Sequence, residues 1–219
     1  MTEFLPTITS ITDWRGKIRE AADLGLKRVC FFPTAIEPAA RQEAYRLLWD
    51  AGIREIPFIH LRSDFTPDEV AFLMERFGTE RFNIHPAALH PMFHDLSALR
   101  DRIYMENNED LTEGDLRAWA GICLDVSHHE NERLRGTSVF GELEERLKTT
   151  PVGCWHVSAI RPESRPNGHF DAHVLASLSE LNYVARYKKY APPIAAMELE
   201  NPLREQLEAV EYVKRMFRR

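Results

Sequence analysis

Two periods of hydrophobic spacing alternate along this chain of 219 residues. Short apolar runs rich in Ile, Val, Phe and Cys read as strands, and longer amphipathic stretches between them read as helices. Residues 4–9 predict a first strand. Residues 13–24 predict a helix capped by Asp13 and stopped by Gly25. A second strand is predicted over 28–33, then a helix over 38–51 with Pro38 at its start and Gly52 beyond its end. A third strand covers 53–61. Thr66 caps the next helix, which ends at Gly78, with Pro67 in its first turn and Asp68 and Glu69 at its positive end. Strand patterns follow over 81–85, 103–106, 121–126, 152–158 and 193–199. Helical patterns lie between and after them at 94–102, 112–120, 138–147, 171–190 and 202–217. The connections 126–138 and 158–171 read as the long loops.

Eight strand patterns, each followed by a helical pattern, predict parallel strands joined by right-handed crossovers. Eight such units predict an α/β fold of one closed (β/α)8 TIM barrel over residues 1–219, with no composition break to mark a second domain. An open, doubly wound sheet is the alternative architecture.

The strand patterns end in residues that can hold a metal. Ile-Pro-Phe-Ile stops at His60, Phe-Asn-Ile at His85, Ile-Tyr-Met at Glu106 and Ile-Cys-Leu at Asp125. Gly-Cys-Trp stops at His156, and Ala-Ala-Met is followed by Glu198 and Glu200. In a parallel barrel the C-terminal strand ends share one face, where active sites lie. One histidine or aspartate at a strand end is a weak signal, because such residues often cap loops. Several buried together would each cost free energy unless a cation relieved them.

Composition narrows the class. With 44% hydrophobic residues the chain can bury a full core. A formal net charge of -6 does not favour a nucleic-acid partner bound through phosphates, although it leaves room for a local basic patch. Cys30, Cys123 and Cys154 are far apart, odd in number and set in apolar runs, so they read as buried thiols of a reducing compartment. No run approaches the ~20 apolar residues of a membrane span, and residues 1–10 lack the basic start of a signal peptide. The expectation is a cytoplasmic protein with no membrane partner. Oligomeric state is left open.

The candidate ligands fall into an inner set, Glu106, Asp125, His156 and Glu198, and an outer set, His60, His85, His128, Asp171 and His173. Asp125 and His128 form an Asp-x-x-His pair, and Asp171 and His173 an Asp-x-His pair. Glu198 and Glu200, two apart on the predicted strand, would point to the same face, and either could be the ligand. These residues exceed what a single divalent ion needs, so one to three ions of Zn, Mn or Fe are expected. Cys154 shares the His156 face but reads as a structural thiol. His129, next to His128, is a candidate substrate-binding group, whereas His90 and His94 read as solvated or supporting residues.

These residues resemble the motifs of the xylose-isomerase-like barrel superfamily, which includes sugar isomerases and epimerases, endonuclease IV and the UV-damage endonucleases. The resemblance runs from Ile53 onward. Phe-Asn-Ile-His85-Pro resembles the fourth-strand motif of endonuclease IV, and Asp171-Ala-His173 its Asp-x-His. Met-Glu106-Asn-Asn-Glu-Asp, with Leu-Asp125-Val-Ser-His128-His129, resembles the paired motifs of UV-damage endonuclease. His156-Val-Ser is similar to the seventh-strand metal histidine of the superfamily, and Met-Glu198-Leu-Glu200-Asn-Pro-Leu to the eighth strand of the isomerase branch. The resemblance implies one metal on the inner ligands in an epimerase, and two or three metals on the larger set in the endonuclease branch. UV-damage endonuclease carries a lysine where this chain has Cys154, and the chain has little loop with which to grip a duplex.

Two activities follow as expectations. The first is a multinuclear-metal hydrolase of a phosphate ester, with Glu106 and Glu198 or Glu200 positioning the ions and Arg62, Arg161 and Arg165 binding phosphate oxygens. The second is a mononuclear-metal sugar or sugar-phosphate isomerase or epimerase, in which Glu106 and Glu198 move a proton on and off carbon. A small-molecule substrate, phosphorylated or not, suits both. A barrel that has lost its chemistry and binds a partner is the third reading.

Overall fold

A computed structural model describes residues 2–108 and 110–218. Eight parallel strands close in the order β1 (Glu3–Thr9), β2 (Cys30–Phe32), β3 (Phe58–His60), β4 (Arg81–Ile84), β5 (Ile103–Glu106), β6 (Ile122–Asp125), β7 (Val152–Val157) and β10 (Ile194–Met197), which returns to pair with β1. A small antiparallel pair, β8 (Ala159–Ile160) and β9 (Asp171–Ala172), stands outside the barrel. Around it run α1 (Trp14–Asp23), α2 (Pro38–Asp50), α3 (Pro67–Phe77), α4 (Glu113–Ala118), α5 (Val126–Arg135), α6 (Ser138–Arg146) and α7 (Leu203–Arg218). Two 3-10 segments, Ser97–Arg102 and Leu178–Tyr190, take the place of the helices expected at 94–102 and 171–190. This is the (β/α)8 barrel that the alternating periods predict.

The core has two parts. Between strands and helices lies a large apolar layer that includes Ile8, Phe31, Leu48, Ile59, Phe82, Leu124 and Trp155. Inside the barrel a smaller layer contains Leu5, Phe32, Phe58, Ile194 and the three free cysteines, Cys30, Cys123 and Cys154. Cys154 is thus part of the barrel filling, below the strand ends.

Three local features differ from the sequence reading. The connection 126–138 is mostly the helix α5, whose buried face includes Ser127, His129, Glu130, Asn131 and Glu132. An apolar period cannot reveal a helix whose inner side is polar. The strand over 53–61 shortens to Phe58–His60, because Pro57 cannot donate to a ladder. The eighth barrel strand ends at Met197, so Glu198 and Glu200 lie beyond it and strand alternation does not put them on one face. Among the described residues no helix is long and apolar enough to cross a membrane.

Candidate metal centre

The strand ends deliver their polar residues to one mouth. His60, Glu106 and Asp125 are the last residues of β3, β5 and β6. His85 and Glu198 directly follow β4 and β10. His156 sits beside Asp125 in the β6–β7 register and beside Ala196 in the β7–β10 register.

Glu106 is the hub. Its Oε2 lies 3.7 Å from His60 Nε2, 3.6 Å from His85 Nε2 and 3.6 Å from His156 Nδ1. Its Oε1 lies 3.8 Å from His128 Nδ1. Asn83 donates its Nδ2–H to Glu106 Oε2 at 3.0 Å and so fixes the carboxylate. On one flank Asp125 Oδ2 is 3.5 Å from His128 Nδ1, and on the other Glu198 Oε2 is 3.3 Å from His156 Nδ1. Three triads arise, each with donor atoms within 4.8 Å of one another: His60, His85 and Glu106; His60, His156 and Glu198; Glu106, Asp125 and His128.

Both ring nitrogens of His60 and of His156, and Asp125 Oδ2, are buried with no hydrogen-bond partner. Such orphans are rare, and each costs roughly 1–3 kcal/mol. They sit where a shared cation would use them. Tetrahedral ligands about 2.1 Å from a zinc ion stand about 3.4 Å apart, close to the contacts measured around Glu106. A donor set of imidazoles and carboxylates without thiolate fits Zn, Mn or Fe. The residues present therefore fit divalent metal.

Electrostatics agree with that donor chemistry. Burial pushes the His60 imidazole well down, helped by His85 and His156. Burial also opposes charge on His156, but Glu198, Glu106 and Asp125 outweigh it and raise its pKa to about 10. Burial pushes Glu198 up, yet His156, His173 and His60 hold it well below the usual carboxylate range. His128 and His173 are desolvated too, and surrounding carboxylates raise both.

The Asp125 carboxylate has a second task. Its Oδ1 accepts from the backbone N–H of Ser127 at 2.8 Å and of His128 at 3.0 Å, capping α5. That cap starts the helix immediately after β6 and sets His128 one turn on, facing the mouth. Asn107 clamps the Asp125 backbone from both sides, donating Nδ2–H to its carbonyl at 3.1 Å and accepting its N–H at 2.5 Å.

Other sequence candidates stand apart. Asp171 and His173 reach the mouth but make no triad with His128: Asp171 Oδ1 is 3.4 Å from His169 Nδ1, and His173 Nδ1 is 3.3 Å from the Glu198 carbonyl. Glu200 turns away, pairing with Lys17 at 2.9 Å and accepting from Thr12. His129 lies on the far side of α5, its ring stacked on Phe140 at 4.6 Å between centroids. Arg62 pairs with Glu37 at 2.8 Å, Arg161 with Glu180 at 2.5 Å, and Arg165 donates to the Asp171 carbonyl at 3.0 Å. The His90 ring lies 4.9 Å from the His85 ring, tilted by 45°, and His94 is exposed. Glu109, in the motif that begins at Met105, lies outside the described residues. Asn83, Asn107 and His169 are the residues that sequence reasoning missed. Asn83 has a readable signal, since it lies two residues before His85 and therefore on the same face.

Comparison with known proteins places the fold. No family model matches the chain, and no curated protein matches it. Among solved structures, the probable 3-DHS dehydratase AsbF involved in petrobactin synthesis from Bacillus anthracis superposes with a TM-score of 0.50 at 13% identity, over 98% of this chain and 99% of that one. The 3-keto-D-glucoside 4-epimerase YcjR from E. coli gives 0.48 at 11% identity, over 98% and 99%. At such identities the likeness is one of fold, the closed (β/α)8 barrel.

Proposed function

We propose that this barrel is a metal-dependent enzyme which holds at least two divalent ions around Glu106 and hydrolyses a phosphate ester of a small molecule. The observation that carries this reading is the two-sided use of Glu106: Oε2 faces His60, His85 and His156, while Oε1 faces His128. A carboxylate with imidazoles on both sides would hold divalent ions together with them. The holding residues would be His60, His85, Glu106, Asp125, His128, His156 and Glu198, with Asp171 and His173 at the rim. When bound, such ions supply Lewis acidity, polarising substrate oxygens and lowering the pKa of water. The chain's part is to orient and to dry the site. Asn83 fixes the Glu106 carboxylate, Asn107 fixes the Asp125 backbone, and buried Phe32 and Phe58 floor the pocket against His156.

A second reading is a sugar isomerase or epimerase with one ion. It is favoured by the commitment of Arg62, Arg161 and Arg165 to protein partners, which leaves none of the three as a dedicated phosphate grip. Against it, the donors gathered at the mouth exceed what one ion needs.

Elemental analysis of protein purified without chelator separates the two. Two or more ions per chain, with turnover of phosphomonoesters, is the expected result. One ion per chain, with turnover of ketoses only, would overturn the proposal. His85→Ala should lower metal content in the multinuclear case and leave it unchanged in the mononuclear one. His156→Ala should abolish activity in either.

A further inference from the structure

Three carboxylates converge on the centre, and they are held in different ways. Asn83 donates to Glu106, and the backbone N–H groups of Ser127 and His128 donate to Asp125. Glu198 meets His156 Nδ1 at 3.3 Å, an imidazole that is itself a candidate ligand, and among the described residues no supporting side chain holds its carboxylate. Its aim must come from its backbone. The chain turns at once after β10: Glu198 N–H still donates to the Val157 carbonyl at 2.9 Å, while Leu199 N–H donates back to the Met197 carbonyl at 2.9 Å.

We infer that Lys17, on α1, is the positioning residue that aims Glu198 at the metal centre, by clamping Leu199 and Glu200 immediately after it. The inference rests on the metal-holding part of the proposed function, and on neither the ion count nor the phosphate ester.

Lys17 is buried. Its ammonium has three hydrogens and three acceptors: the Thr9 hydroxyl, the Leu199 carbonyl at 3.2 Å and the Glu200 carboxylate at 2.9 Å. No hydrogen is left for a substrate, so Lys17 acts through its neighbours. Glu200 also accepts from the Thr12 hydroxyl, which ties it to the loop after β1. Gln206, on α7, donates its Nε2–H groups to the Leu199 carbonyl at 2.8 Å and the Asn201 carbonyl at 3.0 Å, while its Oε1 accepts the Thr7 N–H at 2.8 Å. The Leu199 carbonyl is thus gripped from two helices. The clamped turn carries the rim as well. Glu200 N–H donates to the His173 carbonyl at 2.6 Å, and Asn201 bonds the Leu175 N–H at 2.7 Å and its carbonyl at 2.9 Å.

Stability alone does not explain an ion pair buried here. Desolvating two charges offsets much of their attraction, and apolar residues of the same shape often serve a fold as well or better. What the pair supplies is a fixed address. Thr9 ends β1, Leu199 and Glu200 follow β10, and Lys17 joins the two strand ends at one point.

The test is a double-mutant cycle read as zinc affinity of the full chain, by competition against a chromophoric chelator. Lys17→Met keeps the aliphatic stem and removes the ammonium, and should weaken zinc binding roughly 10–100-fold, the range for a lost supporting group. In Glu198→Ala protein the same change should alter affinity by less than about twofold, because the group that Lys17 aims is gone. A merely structural lysine would lower both proteins alike. If Lys17→Met fails to fold, Glu200→Gln, which keeps the shape and removes only the charge, should give a smaller loss with the same dependence on Glu198. A loss in the Glu198→Ala background of half or more of the wild-type loss on a logarithmic scale, or undiminished affinity in both single variants, would overturn the inference. Either result in a chain that binds zinc brings down the clamp alone, whereas a wild-type chain that takes up no zinc brings down the metal enzyme and the clamp with it.

Discussion

Asn83 shows how much of a site can rest on a residue that carries no chemistry. Its amide is fully buried, and its Nδ2–H holds the Glu106 oxygen that faces three imidazoles. Removing such a supporting group from a metal site costs roughly 10–100-fold in metal affinity. Asn83→Ala should therefore weaken zinc binding within that range in a competition titration against a chromophoric chelator, while the far-ultraviolet circular dichroism keeps its barrel signature. The clustered strand-end residues were legible in the sequence because a strand end is easily read. Asn83 offers only its two-residue spacing from His85 as a signal, because an amide inside an apolar strand otherwise looks like an ordinary interruption. Glu200 misled for the opposite reason: it carries the right chemistry, but the strand ends before it and Lys17 takes its charge. A pH prediction belongs to the same residues. In metal-free protein the His156 pKa is about 10, above the ordinary 6.5, so its stabilising contribution is full below pH 6.5 and fades as pH rises through about 10. Glu198 is shifted the other way from 4.5, so its contribution is present above pH 4.5 and lost as pH falls below it. Urea melts of chelated protein should show this pair most stabilising between those limits. Metal must expel the His156 proton, so zinc affinity should rise from pH 6 to 9, with proton release visible by calorimetry in buffers of different ionisation enthalpy.

The element that aims the site is the seventh strand. Ile122 pairs with Val152, but Cys123 pairs with Cys154, so Gly153 is an extra residue in β7. This bulge puts His156 opposite Asp125; without it Trp155 would stand there and the imidazole would face the helices. Glycine is required at the bulge, because a Cβ would fall 2.0 Å from the Tyr104 ring. An isolated glycine inside a strand pattern is a readable sign of a bulge, whereas its consequence for register is visible only in three dimensions. Gly153→Ala should destabilise the fold by about 1–3 kcal/mol, the range for overpacking, and should weaken zinc binding as well. Adding Tyr104→Ala should return most of the stability, since it removes the ring that the new methyl would strike; urea unfolding of the two variants checks both statements. The same limit explains α5. Its inward face is held by Glu130 with Arg133 and Tyr187, and by Glu132 with Arg135 and Thr137, a polar network that leaves no apolar period to read.

At the scale of the whole molecule, closure turns scattered residues into one centre. The eight-unit alternation was legible because each unit repeats the same two periods, and it suffices to send every C-terminal strand end to a common mouth. The distances between donor atoms were not legible, since they depend on register around the ring. A closed barrel makes the centre stabilising for the whole chain, because ions that join β3, β4, β5, β6, β7 and β10 would tie together strands from across the circumference. Unfolding the barrel anywhere then separates ligands. A metal present at 100 times its dissociation constant stabilises a fold by about 2.7 kcal/mol per site. For a chain of this length each kcal/mol moves the melting temperature by about 2–4 °C. Chelation should therefore lower the melting temperature by about 5–11 °C for each ion lost, with zinc restoring it. His85→Ala, which removes one member of one triad, should lose part of that span, and Glu106→Ala, which removes the carboxylate common to two triads, nearly all of it. A calorimetric scan in which Glu106→Ala responds to zinc as the wild type does would show that the strands are not joined through this carboxylate.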